Sequence, residues 1–196
     1  MKYPIGIQDF EKIRQDGFVY VDKTALLYDL VTNGTIYFLC RPRRFGKSLL
    51  LSTLENYFLG KKELFKGLAI DSLEKEWKKH PVFHIDFNGN NFTSPFELKN
   101  AIETFISKSE EKYGKDPFAT TYGNRLSYVF EKAHEQTGQR VVVLIDEYDK
   151  PLLDVMNLDH YITDEEGNEV QEHLYVKTLF IGSNDTIDNY IEVEKV

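Results

Sequence analysis

Residues of the types that bind polyphosphates stand together in one short segment. Residues 41–48 have the sequence RPRRFGKS, with Gly46, Lys47 and Ser48 in direct succession. In phosphate-binding loops the anion is held by backbone N–H groups, by the positive end of the following helix and by a lysine ammonium. Gly46 would let the backbone approach a triphosphate, Lys47 would reach its β- and γ-phosphates, and the Ser48 hydroxyl would bind Mg²⁺. The segment therefore predicts a P-loop, or Walker A motif, for a nucleoside triphosphate.

The segment departs from the pattern G-x-x-x-x-G-K-[ST] at its first position. The pattern has glycine five residues before Gly46, where this chain has Arg41. A Gly-Lys-Ser or Gly-Lys-Thr tripeptide also occurs by chance in about one chain in ten of this length, so an ordinary helix start is the competing interpretation. Because this tripeptide follows a β-type run and opens a Leu-rich helical pattern, we favour the phosphate-binding interpretation.

Three of the six arginines of the chain lie in this loop, namely Arg41, Arg43 and Arg44. Any one of them could belong to a solvated basic turn. As a group they favour an anionic ligand, because guanidinium forks match phosphate oxygens. One could act in cis like an arginine finger, and we take Arg44 as that catalytic candidate. The predicted nucleotide contacts of the segment are Arg41, Arg43, Arg44, Phe45, Gly46, Lys47, Ser48 and Leu49.

A second chemical signal is the acidic end of an apolar run. Residues 141–145 have the sequence VVVLI and are followed by Asp146 and Glu147. Ligands of open parallel sheets bind at the carboxyl ends of strands, so Asp146 is expected beside the P-loop, within reach of the Mg²⁺ shell, as a Walker B acid. Glu147 is suited to polarise the water that attacks the γ-phosphate. The competing interpretation is an ordinary strand that is followed by an acidic loop. Together with the P-loop, the acids predict hydrolysis, with Lys47, Arg44 and Glu147 catalytic.

The elements that would position these residues alternate along the chain. Strands are predicted over residues 35–40, 82–87 and 141–145, and helices over residues 24–31, 48–59, 96–113 and 124–137. Gly60, Gly114 and Gly138 stand where three of the helices would end. The run at 141–145 is apolar throughout, as is typical of a parallel strand buried on both faces. The order predicts an α/β fold of the P-loop NTPase kind, in which helices sandwich a parallel sheet.

The composition limits the classes of function. The chain has 196 residues, 41% of them hydrophobic, and a net charge of −8, which favours a folded domain with a buried core. The acidic balance argues against broad attraction to nucleic acid or to an anionic membrane. No apolar run approaches the ~20 residues that cross a bilayer, and the single cysteine, Cys40, cannot form an internal disulfide. We therefore expect a soluble, cytoplasmic protein with no membrane partner, and nothing in this chain indicates a nucleic-acid partner.

The motifs resemble those of a known family, the predicted AAA-type ATPases (AAA-ATPase-like). The resemblance rests on residues 20–24 (YVDKT), on residues 38–49 (FLCRPRRFGKSL) and on residues 146–151 (DEYDKP). Arginine in place of the first P-loop glycine is usual in that family. The resemblance implies an ATPase domain that uses ATP and Mg²⁺. It also implies that Asp22 and Lys23 are polar contacts of the nucleotide.

The resemblance covers about residues 1–155 and divides the chain. We predict a P-loop ATPase-like domain over residues 1–156 and an atypical segment over residues 157–196, where the family's sensor segment is not recognisable. Residues 178–184 could substitute for that segment or be unrelated to it. A polar turn at residues 163–168 predicts a hairpin, and residues 174–181 predict a further strand. Family members commonly carry a C-terminal nuclease-like domain of the PD-(D/E)XK type, and we expect that domain, or a protein partner, outside this chain.

Two functions are compatible with these motifs. The first is a Mg²⁺-dependent ATPase of the AAA or STAND-like kind, which Glu147 favours. The second is a nucleotide-binding scaffold or remnant without useful turnover, which the unrecognised sensor segment favours. A small-molecule kinase is less favoured, because no acceptor-binding segment is recognisable. Phosphate release measured beside equilibrium ATP binding would distinguish the first two.

Overall fold

A computed structural model describes residues 1–39, 45–89, 91–92, 94–148 and 150–151, together with the backbone of four short strands between residues 161 and 195. The chain divides into two compact units. Met1–His84 and Ala133–Asp146 form the first unit, and Ile85–Lys132 and Glu147–Val196 form the second.

The first unit packs short helices around an aromatic and aliphatic core. Its helices are α1 (Phe10–Gln15), α2 (Thr24–Asn33), α3 (Lys47–Phe58), a 3₁₀ turn (Lys62–Phe65) and α4 (Ala69–Leu73). Asp9 caps α1, because its Oδ1 accepts a hydrogen bond from the Lys12 N–H at 3.0 Å. The buried core residues include Phe10, Leu27, Leu54, Phe65, Ile70 and Leu144. The helices predicted over residues 24–31 and 48–59 are thus confirmed as α2 and α3.

Two strands form a small parallel sheet. They are β1 (Val82–Asp86) and β2 (Val142–Asp146), which lie side by side. The strands predicted over residues 82–87 and 141–145 are confirmed to within one residue. A parallel sheet combined with helices is compatible with the predicted α/β class.

Two long helices account for the predictions over residues 96–113 and 124–137. They are α5 (Pro95–Tyr113) and α6 (Tyr122–Thr137). Glu97 accepts a hydrogen bond from the Ser94 N–H at 3.0 Å, so it closes the first turn of α5 as in a capping box. At the other end, Gly114 takes a φ of +111° and donates its N–H to the Glu110 carbonyl.

Arg125 joins α5 to α6 in the second unit. Its guanidinium donates to both carboxylate oxygens of Glu110, at 2.7 and 2.8 Å, and to Glu103 at 2.7 Å. These hydrogen bonds lower the pKa of Glu110 and raise that of Arg125. A bidentate pair of this kind fixes orientation as well as distance, so it sets how the two helices meet.

The strand predicted over residues 35–40 is the clearest difference between sequence and structure. Residues 35–39 lie outside any strand, and Cys40 lies outside the described residues. The Tyr37 hydroxyl donates to the Leu30 carbonyl of α2 at 2.7 Å, so this segment is attached to a helix rather than to the sheet. Side chains that favour extended backbone do not by themselves supply a neighbouring strand, which is why the prediction was wrong.

The C-terminal strands form two antiparallel ladders. β3 (Tyr161–Thr163) pairs with β4 (Glu169–Gln171), with Ile162 opposite Val170. β5 (Leu174–Val176) pairs with β6 (Val193–Lys195). The expected turn at residues 164–168 and the remainder of the expected strand, residues 177–181, lie outside the described residues. Among the helices that the structure describes, none has the length and apolar character that crossing a bilayer requires.

Candidate functional site

Helix α3 begins at the Gly-Lys-Ser segment of the predicted P-loop. Gly46 precedes the helix in the left-handed region, with φ +77° and ψ +24°, which glycine adopts without steric cost. The Gly46 carbonyl accepts the N–H of Leu50 at 3.0 Å, so the helix begins at this point. Because Gly46 has no side chain with which to cap the first turn, the positive end of α3 is suited to an anionic ligand.

The predicted contacts of the nucleotide divide into described and undescribed residues. Lys47 and Ser48 are the first two residues of α3 and are half-buried, whereas Phe45 is exposed. Leu49 packs against the core of the first unit. Arg41, Arg43 and Arg44 lie outside the described residues, so their predicted contacts remain predictions.

Helix α3 and strand β2 share one hydrophobic core. Leu50 and Leu54 on α3 belong to the same packed cluster as Val142 and Leu144 on β2. A polar contact also holds α3, since Glu55 lies 3.0 Å from Nδ1 of His84 on β1. The helix that begins at Lys47 is therefore held against the strand that ends at Asp146.

Asp146 and Glu147 differ in burial and in backbone conformation. Asp146 is the last residue of β2 and is only 7% exposed. Glu147 follows with φ +50°, a left-handed conformation that is uncommon for a residue with a side chain. Such a conformation costs on the order of 1–3 kcal/mol, and residues that adopt it are enriched at functional sites.

Asp22 binds backbone groups on two helices at once. Its Oδ1 accepts the N–H and the hydroxyl of Thr24, at 2.8 and 2.7 Å, and its Oδ2 accepts the N–H of Ala69 at 2.7 Å. The buried Thr24 hydroxyl in turn accepts the N–H of Ile70 at 3.1 Å. We call these four residues the α2–α4 latch. The neighbouring Lys23 is exposed and precedes α2.

The latch was not predicted from the sequence. The local part of the signal was available, because Asp22 stands two residues before Thr24 at the start of a helical pattern, a spacing typical of caps. The sequence does not show that Ala69 is the second partner of Asp22, since the two residues are 47 positions apart along the chain. We infer that Asp22 stabilises the fold of the first unit, whereas a contact between Asp22 and the nucleotide remains the prediction of the resemblance.

The latch also contributes to the pH dependence of stability. Partial burial alone would raise the pKa of Asp22, but hydrogen bonds from Thr24 and Ala69 outweigh it and hold that pKa below its ordinary value. A carboxyl with a depressed pKa in the folded state adds stability above its unfolded pKa of about 4. That stability is lost as the pH falls through the lower folded value.

We predict that Asp22→Asn lowers the free energy of unfolding by about 1 kcal/mol at neutral pH, because an amide cannot accept all of these hydrogen bonds. Urea unfolding at pH 7 and at pH 3 measures the effect, which should shrink at the lower pH. Asp29→Asn is the matched control, since Asp29 lies exposed on the same helix α2. Equal stability of Asp22→Asn and the parent chain at pH 7 would contradict the structural role.

Comparison with known proteins gives a family and a relative at the level of sequence. The family model described as "Predicted AAA-ATPase" matches residues 4–192. The match thus continues past residue 156, although we expected the resemblance to end there. A relative from Azotobacter chroococcum mcd 1, described as "Uncharacterized protein in vnfD 5'region", is 44% identical over 154 residues. That alignment covers 78% of this chain and 30% of the relative. No solved structure matches the chain.

Proposed function

The chain belongs to the predicted AAA-ATPase family, and we propose that it binds ATP with Mg²⁺ and hydrolyses it, with the fold of a P-loop NTPase. One observation carries the proposal. The succession Gly46, Lys47, Ser48 opens a helix that packs against a strand ending in a buried acid, Asp146. This is the arrangement that phosphate binding beside a metal-holding carboxylate requires.

Each residue of the P-loop has a separate role in the proposal. The backbone at Gly46 and the first turn of α3 bind phosphate oxygens through N–H groups. The Lys47 ammonium neutralises the β- and γ-phosphates, where negative charge develops during transfer. Arg44 is the candidate for stabilising that charge from the same chain, and Arg41 and Arg43 add further guanidinium contacts.

The residues at the start of α3 and at the end of β2 carry oxygen atoms of the kind that bind Mg²⁺. Mg²⁺ prefers oxygen ligands and usually keeps several waters, so a nucleotide-bound Mg²⁺ needs one or two protein groups rather than a complete protein cage. Ser48 offers a hydroxyl and Asp146 a buried carboxylate. Within the residues that the structure describes, no three His, Cys, Asp or Glu side chains gather to hold a metal. When bound, Mg²⁺ would neutralise charge on the β- and γ-phosphate oxygens.

Glu147 is the proposed general base. Its carboxylate accepts a proton from the water that attacks the γ-phosphorus, and the leaving product is ADP. The left-handed backbone of Glu147 supports this role, because strained residues are retained where function needs the side chain in a particular direction. Phosphate release by the parent chain, measured beside ATP binding, tests the proposal against a scaffold that binds without turnover.

The proposal predicts a specific defect for Asp146→Asn. The amide loses the negative charge that favours Mg²⁺, so the Mg²⁺-dependent part of ATP affinity should fall about tenfold or more. Equilibrium titrations with Mg²⁺ and with excess EDTA measure that part as the ratio of two dissociation constants. Asp29→Asn is again the control, with an expected ratio equal to that of the parent. An unchanged ratio for Asp146→Asn would remove Asp146 from the metal site.

The chain spans about a third of the length of the curated relative that it matches. We propose that residues 1–156 form the ATPase-like domain and that its cycle serves a protein partner or a further domain. The single cysteine supports a reducing, cytoplasmic location.

A further inference from the structure

We propose that Asn88 is a site of spontaneous deamidation, at which the side-chain amide is converted to a carboxylate without an enzyme. This modification is independent of the proposed ATP site. It depends on the dipeptide Asn-Gly, which occurs twice in the sequence, as Asn33-Gly34 and as Asn88-Gly89. The two copies lie in different backbone environments, and this difference selects Asn88.

The reaction joins the asparagine side chain to the next residue of the main chain. The Gly89 backbone nitrogen attacks Cγ of Asn88, a bond between these two atoms forms, and the side-chain nitrogen leaves as ammonia. The proton of the Gly89 N–H passes to solvent, and the leaving nitrogen takes up a proton from water. Water then opens the five-membered succinimide ring at either carbonyl and gives aspartate or isoaspartate. Glycine in the following position favours the reaction, because it has no Cβ to crowd the attacking nitrogen.

Asn88 and Gly89 form an exposed turn directly after β1. The Asn88 N–H donates to Oδ1 of Asp86 at 2.7 Å, a contact that is typical of the start of a turn. Among the described residues, no group forms a hydrogen bond with the Asn88 side-chain amide or with the Gly89 N–H. Within that part of the chain, both reacting groups are therefore accessible and free of competing hydrogen bonds.

Asn33 has the same following residue but a protected environment. It is the last residue of α2, and its side-chain Nδ2 donates to the Asp29 carbonyl at 2.8 Å. The attacking nitrogen reaches Cγ only when the ψ angle of the asparagine leaves its helical value of about −40°. The Tyr37 ring also fills the side of Gly34 on which a Cβ would lie. Deamidation at Asn33 therefore requires local unfolding of the last turn of α2.

The product changes the turn after β1 in charge and in length. Either product adds one negative charge to a chain whose net charge is −8. The new carboxylate shares the turn with Asp86, and the two like charges repel each other, weakly in solvent. Isoaspartate also inserts one additional carbon into the main chain. It carries a carboxylate of the kind that isoaspartyl methyltransferases methylate with S-adenosylmethionine, so the modified chain would be a substrate for that class of enzyme.

Incubation of the folded parent chain at pH 8, followed by peptide mapping with mass spectrometry, tests the proposal. Deamidation replaces an amide by an acid, and the accompanying increase in mass identifies the modified residue. We expect Asn88 to lose its amide faster than Asn33 by about tenfold or more, because only Asn33 must unfold locally before it reacts. Equal rates at the two asparagines, or faster loss at Asn33, would overturn the proposal.

Unfolding in urea separates the effect of the fold from that of the local sequence. In urea, Asn33 and Asn88 should lose their amides at similar rates, since both precede glycine and neither is held by a helix or a turn. A preference for Asn88 that persists unchanged in urea would show that neighbouring side chains select the site. That result would overturn the inference from the structure.

Gly89→Ala is the matched variant. The added Cβ would lie in open space, and Gly89 does not have the left-handed backbone that strains alanine. The variant should lose the Asn88 amide more slowly than the parent by about tenfold or more, because the Cβ crowds the attacking nitrogen. The rate at Asn33 should not change. A variant that is folded by circular dichroism but deamidates Asn88 at the parent rate would overturn the succinimide route.

Methylation by an isoaspartyl methyltransferase with labelled S-adenosylmethionine provides a second measurement. The aged parent chain should take up more label than the aged Gly89→Ala chain, because only the parent forms the succinimide at Asn88 readily. Equal labelling of the two aged chains would contradict the formation of isoaspartate at this site.

Discussion

Lys47→Ala is expected to weaken ATP binding by about 10- to 100-fold while the fold remains intact. The expected loss is that of a hydrogen bond between charged partners, because the ammonium would meet the β- and γ-phosphates. The fold should survive, since Lys47 is a half-buried residue of the first helical turn and alanine is the strongest helix former. Fold and ligand binding can therefore be measured separately on the same variant.

Calorimetry with Mg²⁺ and ATP measures the affinity of this variant, and circular dichroism measures its helix content. Lys99→Ala is the matched control, because Lys99 is an exposed lysine on a helix that carries no predicted contact. The control should bind ATP as the parent does. A folded Lys47→Ala protein with the affinity of the parent would exclude the P-loop assignment.

Glu147→Gln is expected to slow hydrolysis by about a hundredfold or more, the scale of a lost general base. Glutamine keeps the length of the side chain but cannot accept the proton of the attacking water. It also leaves the residue at position 147 in the same left-handed backbone, so any cost of that conformation is unchanged. ATP should therefore remain bound, because the proposal assigns binding to Lys47 and to the backbone of the first α3 turn.

Single-turnover hydrolysis of labelled ATP, run beside a binding titration, separates the two effects. Glu131→Gln serves as the control, since Glu131 is exposed on α6. If Glu147→Gln hydrolyses ATP at the rate of the parent, Glu147 is not the base. Asp149, or a residue from another subunit, would then become the better candidate.

Sequence reasoning succeeded where structure is determined by neighbours along the chain. The helical spacing of residues 48–59 and the apolar run at 141–145 predicted α3 and β2, because periodicity and burial are local signals. The role of Gly46 could likewise be predicted, since a close approach of the backbone to phosphate requires glycine. These are the elements on which the candidate site is built.

The features that were missed depend on distant or unusual geometry. The residue types at positions 35–40 favour a strand. They do not show that the Tyr37 hydroxyl forms a hydrogen bond with the end of α2. The partnership of Asp22 with Ala69 spans 47 positions. The positive φ of Glu147 was not predicted either, because glutamate has no preference for that region. Long-range pairing and strain are set by the whole fold, so a single sequence does not display them.

The most direct test of the account is the titration of the parent chain with ATP, in Mg²⁺ and again in excess EDTA. The account predicts saturable binding at one site per chain, tighter in Mg²⁺ than in EDTA, because the triphosphate is held by the start of α3 and the metal by Ser48 and Asp146. A folded parent chain that shows no saturable binding of ATP in Mg²⁺ would contradict it.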